Sequence, residues 1–191
     1  MIGLPLAVLL GLIVGLVRGG SLATLSRTEL RGVPLVFAGV VLQISSTIAE
    51  RADVAWLPFA LVLTSFAFTF AFAALNWRLP GMTLIGIGAL MNFLVISANH
   101  GMPVSLSALD RVGLGNPFTG NGVVKGAHHA LTPGTHLRFL ADVIPIRVAA
   151  NVVSIGDIVI WAGLLLLIQQ LMVGRPGKRR RGAKESELSA G

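Results

Sequence analysis

The chain contains no cysteine, so a disulfide, a thiolate-bound metal and a cysteine nucleophile are all excluded. Charge is scarce as well. Only 12% of the 191 residues are Asp, Glu, Lys or Arg, about half the roughly 25% usual in soluble domains. A chain this poor in charge cannot keep a globular surface hydrated, which excludes an ordinary water-soluble domain and disorder over most of the length. Three catalytic signatures are missing: a Gly-rich phosphate loop ending in Lys-Ser/Thr, a G-x-S-x-G nucleophile turn and an H-E-x-x-H metal pair. The paired intramembrane carboxylates expected of lipid-headgroup transferases are also missing. These absences weaken an enzymatic reading without removing it.

What is present is apolar: 54% of residues are hydrophobic and the mean hydropathy is +0.81. The surplus has to face lipid. Five segments are predicted to cross a bilayer as helices, Met1–Val17, Val33–Ala49, Val54–Leu75, Pro80–Ala98 and Val152–Val173. None holds a Lys or Arg, and backbone amides in lipid must pair within their own segment. Met1–Val17 is read as a retained helix: no basic residue precedes it, and Arg18-Gly19-Gly20 is not a small-x-small cleavage site. The expected fold class is therefore an all-α integral membrane protein with about five transmembrane helices and short interfacial helices before the last.

The formal charge is +7, with 15 Lys and Arg against 8 acids. The basic residues lie between apolar runs and in the tail, a topology signal with no nucleic-acid partner implied. Placing the first loop (Arg18, Arg27, Arg31), the third loop (Arg78) and the tail inside puts two thirds of the 15 basic residues in the cytoplasm. This orients the amino terminus outward, in a bacterial plasma membrane. Residues 174–191 form a basic tail, expected to be disordered and attracted to anionic lipid headgroups.

Gly11, Gly15 and Gly19 form one stripe at the end of the first span, a contact face for another helix of the chain or of a second copy. Gln43 lies mid-span in the second segment, and Asn92 and Asn99 lie seven apart on one face of the fourth. Such amides either join helices or line a polar cavity opening outward. Ser154-Ile155-Gly156-Asp157 has the S-x-x-D form of a capping box. Asp157 is thus either a helix cap or an intramembrane ligand or proton site.

The long connection from Asn99 to Asn151 is expected to lie over the outer face as a lid. Ser105–Val112 reads as a short helix capped by Ser105 or Ser107 and ended by Gly113, Gly113–Gly126 as a mobile loop, and Thr135–Asp142 as a second short amphipathic helix stopped by Pro145. Four histidines fall here, His100, His128, His129 and His136, but their spacing supports no metal site. No cofactor is implied.

Three stretches carry a resemblance: Asn99-His100-Gly101-Met102-Pro103-Val104-Ser105 with Ala108-Leu109, then Leu140-Ala141-Asp142-Val143-Ile144-Pro145, then Val153-Ser154-Ile155-Gly156-Asp157. In this order they resemble a bacterial family of multi-pass membrane proteins known only as DUF5317, in which Gly rather than His100 is expected after the Asn. The resemblance brings no activity, substrate or cofactor. It implies that Asp142, Pro145 and Asp157 belong to recurring motifs near the outer face. The leading expectation is a non-enzymatic membrane protein that binds a small ligand or partner helix through Gln43, Asn92, Asn99, Asp142 and Asp157. The alternative is a membrane enzyme acting on lipid or envelope precursors, with Asp142 and Asp157 as acid and base.

Overall fold

The computed structural model describes residues 3–26, 29–49, 56–118 and 128–173. The expected tail and most of the Gly113–Gly126 loop lie outside these. Five apolar helices form the body: α1 (Gly3–Val17), α3 (Val33–Ala49), α4 (Trp56–Leu75), α5 (Met82–Asn99) and α7 (Ile155–Val173), with a single turn, α2 (Leu22–Ser26), after α1. Three of them, α4, α5 and α7, are long and apolar enough to cross a membrane by length and composition. At 15 and 17 residues, α1 and α3 span about 22 and 25 Å, short of the roughly 30 Å hydrocarbon core. Only about a third of each long helix is buried: 28% of the apolar window of α4, and 33% of those of α5 and α7. Large apolar side chains such as Leu9, Phe37, Ile44, Ile87 and Leu94 point outward, an exposure compatible with a lipid environment.

The helices pack in the order α1, α7, α5, α4, α3, and glycine sets the closest crossings. Along α1, Gly3, Gly11 and Gly15 meet Trp161, Ile168 and Met172 of α7 in turn, so these two helices run parallel. By contrast α5 and α7 are antiparallel, with Gly81 against Gly163 and Gly88 against Gly156. Both pairs are seven residues apart, so backbone meets backbone twice along one seam. Without a hydrophobic driving force in lipid, such close van der Waals contact is what holds helices together. Between α5 and α4, Phe66, Phe70 and Phe93 form an aromatic cluster with centroids 5.7 to 6.2 Å apart.

The segment joining α5 to α7 is not the helical lid expected from sequence. Its described residues contain four three-residue strands, β1 (Met102–Val104), β2 (His128–Ala130), β3 (Ile144–Ile146) and β4 (Asn151–Val153), beside one α-helix, α6 (Leu106–Arg111), and two 3-10 turns, Arg138–Leu140 and Arg147–Ala149. Parallel pairing joins β1 to β2, and antiparallel pairing joins β3 to β4. The fold is therefore mainly helical rather than all-α. As expected, Ser105 caps α6, its Oγ accepting from the Ala108 amide at 3.3 Å. The second expected helix, Thr135–Asp142, is absent; only a 3-10 turn, Arg138–Leu140, forms there. The cause is local. Leu137 has a φ of 50°, and the Asp142 backbone is committed to β1, donating to Pro103 O (3.0 Å) while accepting from Ser105 N (2.9 Å). A helix through Asp142 would have to break both bonds.

Candidate functional site

The first turn of α7 is fixed by a closed polar network. The Asp157 amide donates to Ser154 Oγ and the Ser154 amide donates back to Asp157 Oδ2, each at 3.0 Å. This is a reciprocal capping box, placing a carboxylate at the positive end of the helix. The box also reaches across to α5. Asn92 Nδ2 donates to Asp157 Oδ1 at 2.8 Å, and Ser154 Oγ donates to Asn92 Oδ1 at 2.9 Å. Ser154 is fully buried, and Gly156 lets Asn92 approach, since a Cβ there would collide with Asn92 Oδ1. The cap is thus also the polar joint between α5 and α7.

Asp142 stands beside this joint, held in place as an isolated bridge partner of Val104. Its side chain is buried and Oδ1 has no hydrogen-bond partner among the described residues. Burial first, and the nearby Asp157 charge second, push its carboxyl well above the usual carboxylate range. Such a group carries a proton where an ordinary carboxyl does not, so it can offer an O–H as a donor. Across β1, the half-buried His129 has a buried Nδ1 without a partner among the described residues, and burial lowers its pKa. Exposed His128 lies within electrostatic reach of Asp157. Among the described residues, no group of three or more His, Asp or Glu is placed to hold a metal ion.

The raised pKa of Asp142 has a consequence for stability. The folded state holds this proton more tightly than the unfolded chain, so the stability it contributes is fully present below the ordinary carboxylate pKa. It is lost as pH rises from there through the folded value. The thermal midpoint of the wild type in detergent should fall across that range, and Asp142→Asn should flatten this part of the profile. Identical pH profiles for the two proteins would remove Asp142 as the titrating group.

The other expected site residues lie apart. Asn99 clasps the lid: its Nδ2 donates to His136 O at 2.9 Å, its Oδ1 accepts from His136 N at 2.8 Å, and Nδ2 also donates to Val95 O. Both ends of its amide are already committed. Gln43 belongs to a different interface, donating to Ser65 Oγ of α4 at 3.3 Å. Gly11 and Gly15 are covered by α7 and offer no free face to a second copy, while Gly19 lies beyond the end of α1 with nothing within 4 Å of a Cβ built on it. Sequence reasoning missed Ser154 as a partner of Asn92 and, of the glycine seam, picked out Gly88 but missed Gly81, Gly156 and Gly163. The seven-residue spacing of Gly81 with Gly88 and of Gly156 with Gly163 was the available signal.

Residues 27–169 match the family described as DUF5317, a family of unknown function, and this is more than half of the chain. The chain belongs to the DUF5317 family. The DUF5317 segment takes in Asn92, Asp142, Ser154 and Asp157, whereas α1 and its glycines precede it. A protein of Thermotoga maritima, described as an uncharacterized protein, is 34% identical over 110 residues. That alignment covers 56% of this DUF5317 chain and 61% of the relative, so the chain spans less than two thirds of its length. No solved structure matches.

Proposed function

We propose that this DUF5317 protein is a bacterial plasma-membrane protein that binds a small ligand where its lid meets α5 and α7. The observation that carries the reading is Asp142, a buried carboxyl with an unpartnered oxygen, next to the Asp157 network. Buried polar atoms are nearly always paired, so an orphaned carboxyl oxygen beside the satisfied Asn92–Ser154–Asp157 network, with His129 Nδ1 also unpartnered across β1, calls for an explanation. A ligand with a hydrogen-bond acceptor would take the Asp142 proton as its contact. Asn92, Ser154 and Asp157 would hold the wall behind it. In this reading all five apolar helices cross the membrane, α1 and α3 by drawing the headgroups inward or by flanking snorkelling. Along the chain the apolar helices alternate in direction, which supports five crossings. Gly39 and Gln43 of α3 lie against Phe68 and Ser65 of α4, Gly86 and Phe93 of α5 against Ala73 and Phe66 of α4, and α5 is antiparallel to α7. The amino terminus is outside and the basic tail lies against anionic lipid in the cytoplasm.

A second reading is favoured by the same pair of carboxyls. One is buried with a raised pKa and the other is held by hydrogen bonds, the pattern by which neighbouring acids divide acid and base roles. It makes the protein a membrane enzyme acting on lipid or envelope precursors. One experiment addresses both. Fractions of a bacterial small-molecule and lipid extract are screened for thermal stabilisation of the detergent-solubilised full chain, alongside Asp142→Asn. The ligand reading expects at least one fraction to stabilise only the wild type and to be recovered unchanged. Chemical conversion of that fraction by wild type alone would establish the enzyme. If no fraction separates the two proteins, the Asp142 site is lost.

A further inference from the structure

At the end of the bundle opposite the lid, the turn from α4 to α5 and the segment before α3 enclose a cleft of about 430 Å³. Glu29, Arg31, Asn76, Trp77, Arg78 and Leu79 line it. Its walls are fixed. Asn76 is buried, and its side chain grips the backbone of residue 31 from both sides: Oδ1 accepts from Arg31 N at 3.0 Å and Nδ2 donates to Arg31 O at 2.7 Å. Nδ2 also donates to Phe72 O within α4. The turn itself is closed by Leu79 N donating to Asn76 O at 2.8 Å. These bonds fix the backbone of residue 31 beside the turn, so that Arg31 and Arg78, distant in sequence, line the same cleft. The Arg78 guanidinium lies 5.1 Å from the Trp77 ring centroid, and among the described residues neither arginine makes an ion pair with a carboxylate.

The chemistry is that of an anion held by two guanidiniums, whose planar donor forks match the oxygens of a phosphate. The surroundings say which anion. Leu75, also on the cleft wall, is 49% exposed, and Trp77, whose indole suits the headgroup level, is 63% exposed. An occupant must therefore carry charge at one end and apolar surface at the other. We propose that the cleft seats the phosphate of an anionic phospholipid, with its glycerol and upper acyl chains against Leu75 and Trp77. Glu29 on the rim opposes that charge and keeps the site from holding its lipid too tightly. The proposal rests on the membrane reading of the chain but not on the Asp142 site.

The test measures lipid retention by the full chain in a neutral detergent, by native mass spectrometry, with phosphatidylglycerol, phosphatidylcholine or inorganic phosphate added. Phosphatidylglycerol should be retained well above phosphatidylcholine. Arg31→Gln and Arg78→Gln should each reduce that retention by about tenfold, the scale of one charge-assisted contact. Glu29→Gln should raise it severalfold. The basic tail is present in every variant, so its own attraction to anionic lipid cancels. Should Arg31→Gln fail to fold, the exposed Arg78 and Glu29 variants still decide. Equal retention of the two lipids, or retention unmoved in these variants, overturns the proposal. Displacement of phosphatidylglycerol by millimolar inorganic phosphate would make this a soluble-anion site and overturn the lipid as occupant. A protein monodisperse without detergent would instead sink the membrane reading itself.

Discussion

Gly88→Ala is expected to abolish recovery of folded, monodisperse protein, while Gly86→Ala, two positions away, is expected to leave it unchanged or slightly more stable. The contrast comes from what each new methyl would meet. At Gly88 a Cβ would sit 2.5 Å from the Gly156 carbonyl oxygen and 2.9 Å from the Ile160 amide nitrogen. Both are backbone atoms of α7 and cannot swing aside, so the helices themselves must separate. Over-packing a core that can adjust costs about 1–3 kcal/mol. Here the cost is higher, because moving α7 also strains the Gly81–Gly163 crossing and the Asn92 joint on the same seam. At Gly86 the added carbon would lie 3.7 Å from Ala73 Cβ, an ordinary contact, and alanine is the better helix former by roughly 0.5–1 kcal/mol. Thermal unfolding followed by size exclusion in detergent would read both. Equal midpoints for the two variants would mean that the seam is looser than described.

The second large effect is expected at Asp157. Asp157→Ala removes two acceptors at once and leaves Asn92 Nδ2 and the Ser154 amide without partners. The Ser154 hydroxyl still caps the helix through the amide of residue 157, but each of the two buried donors left unsatisfied costs about 1–3 kcal/mol. The total should be about 2–6 kcal/mol, a large share of the 5–15 kcal/mol that holds a typical domain. Asp157→Asn keeps one acceptor and should fall between this variant and the wild type. Ser154→Ala breaks the same network from its other side, so the double variant should cost clearly less than the two single changes added together. Strict additivity, measured by denaturant titration in detergent, would show that the cap and the Asn92 contact are independent.

Legibility in the sequence followed the length over which a pattern repeats. The apolar runs were plain because each extends over 15 or more residues, and the four-residue box from Ser154 to Asp157 was plain because its chemistry is local. The strands of the lid were not. Three residues are too few to show an alternation, and their pairing joins Met102–Val104 to His128–Ala130 across a gap no local pattern bridges. Asn99 and Gln43 were rightly seen as polar groups needing partners, yet an amide's partner is set by tertiary structure, and both found theirs away from Asp142. Gly19 continued the four-residue spacing of Gly11 and Gly15 on paper. The helix ends at Val17, however, and Gly19 adopts a φ of 76° outside it.

The side-by-side, same-direction pairing of α1 with α7 also constrains how the chain can be made. A ribosome delivers α1 well before its mate, with α3, α4, α5 and the whole lid emerging between them. Until then the groove of Gly3, Ala7, Gly11 and Gly15 has nothing to dock on, since α7 is its main neighbour. Assembly must therefore close like a clasp after translation rather than grow by sequential hairpins. A nascent chain stalled before Ile155 would leave its leading helix without a mate, its glycine face open to capture by a chaperone or a quality-control protease.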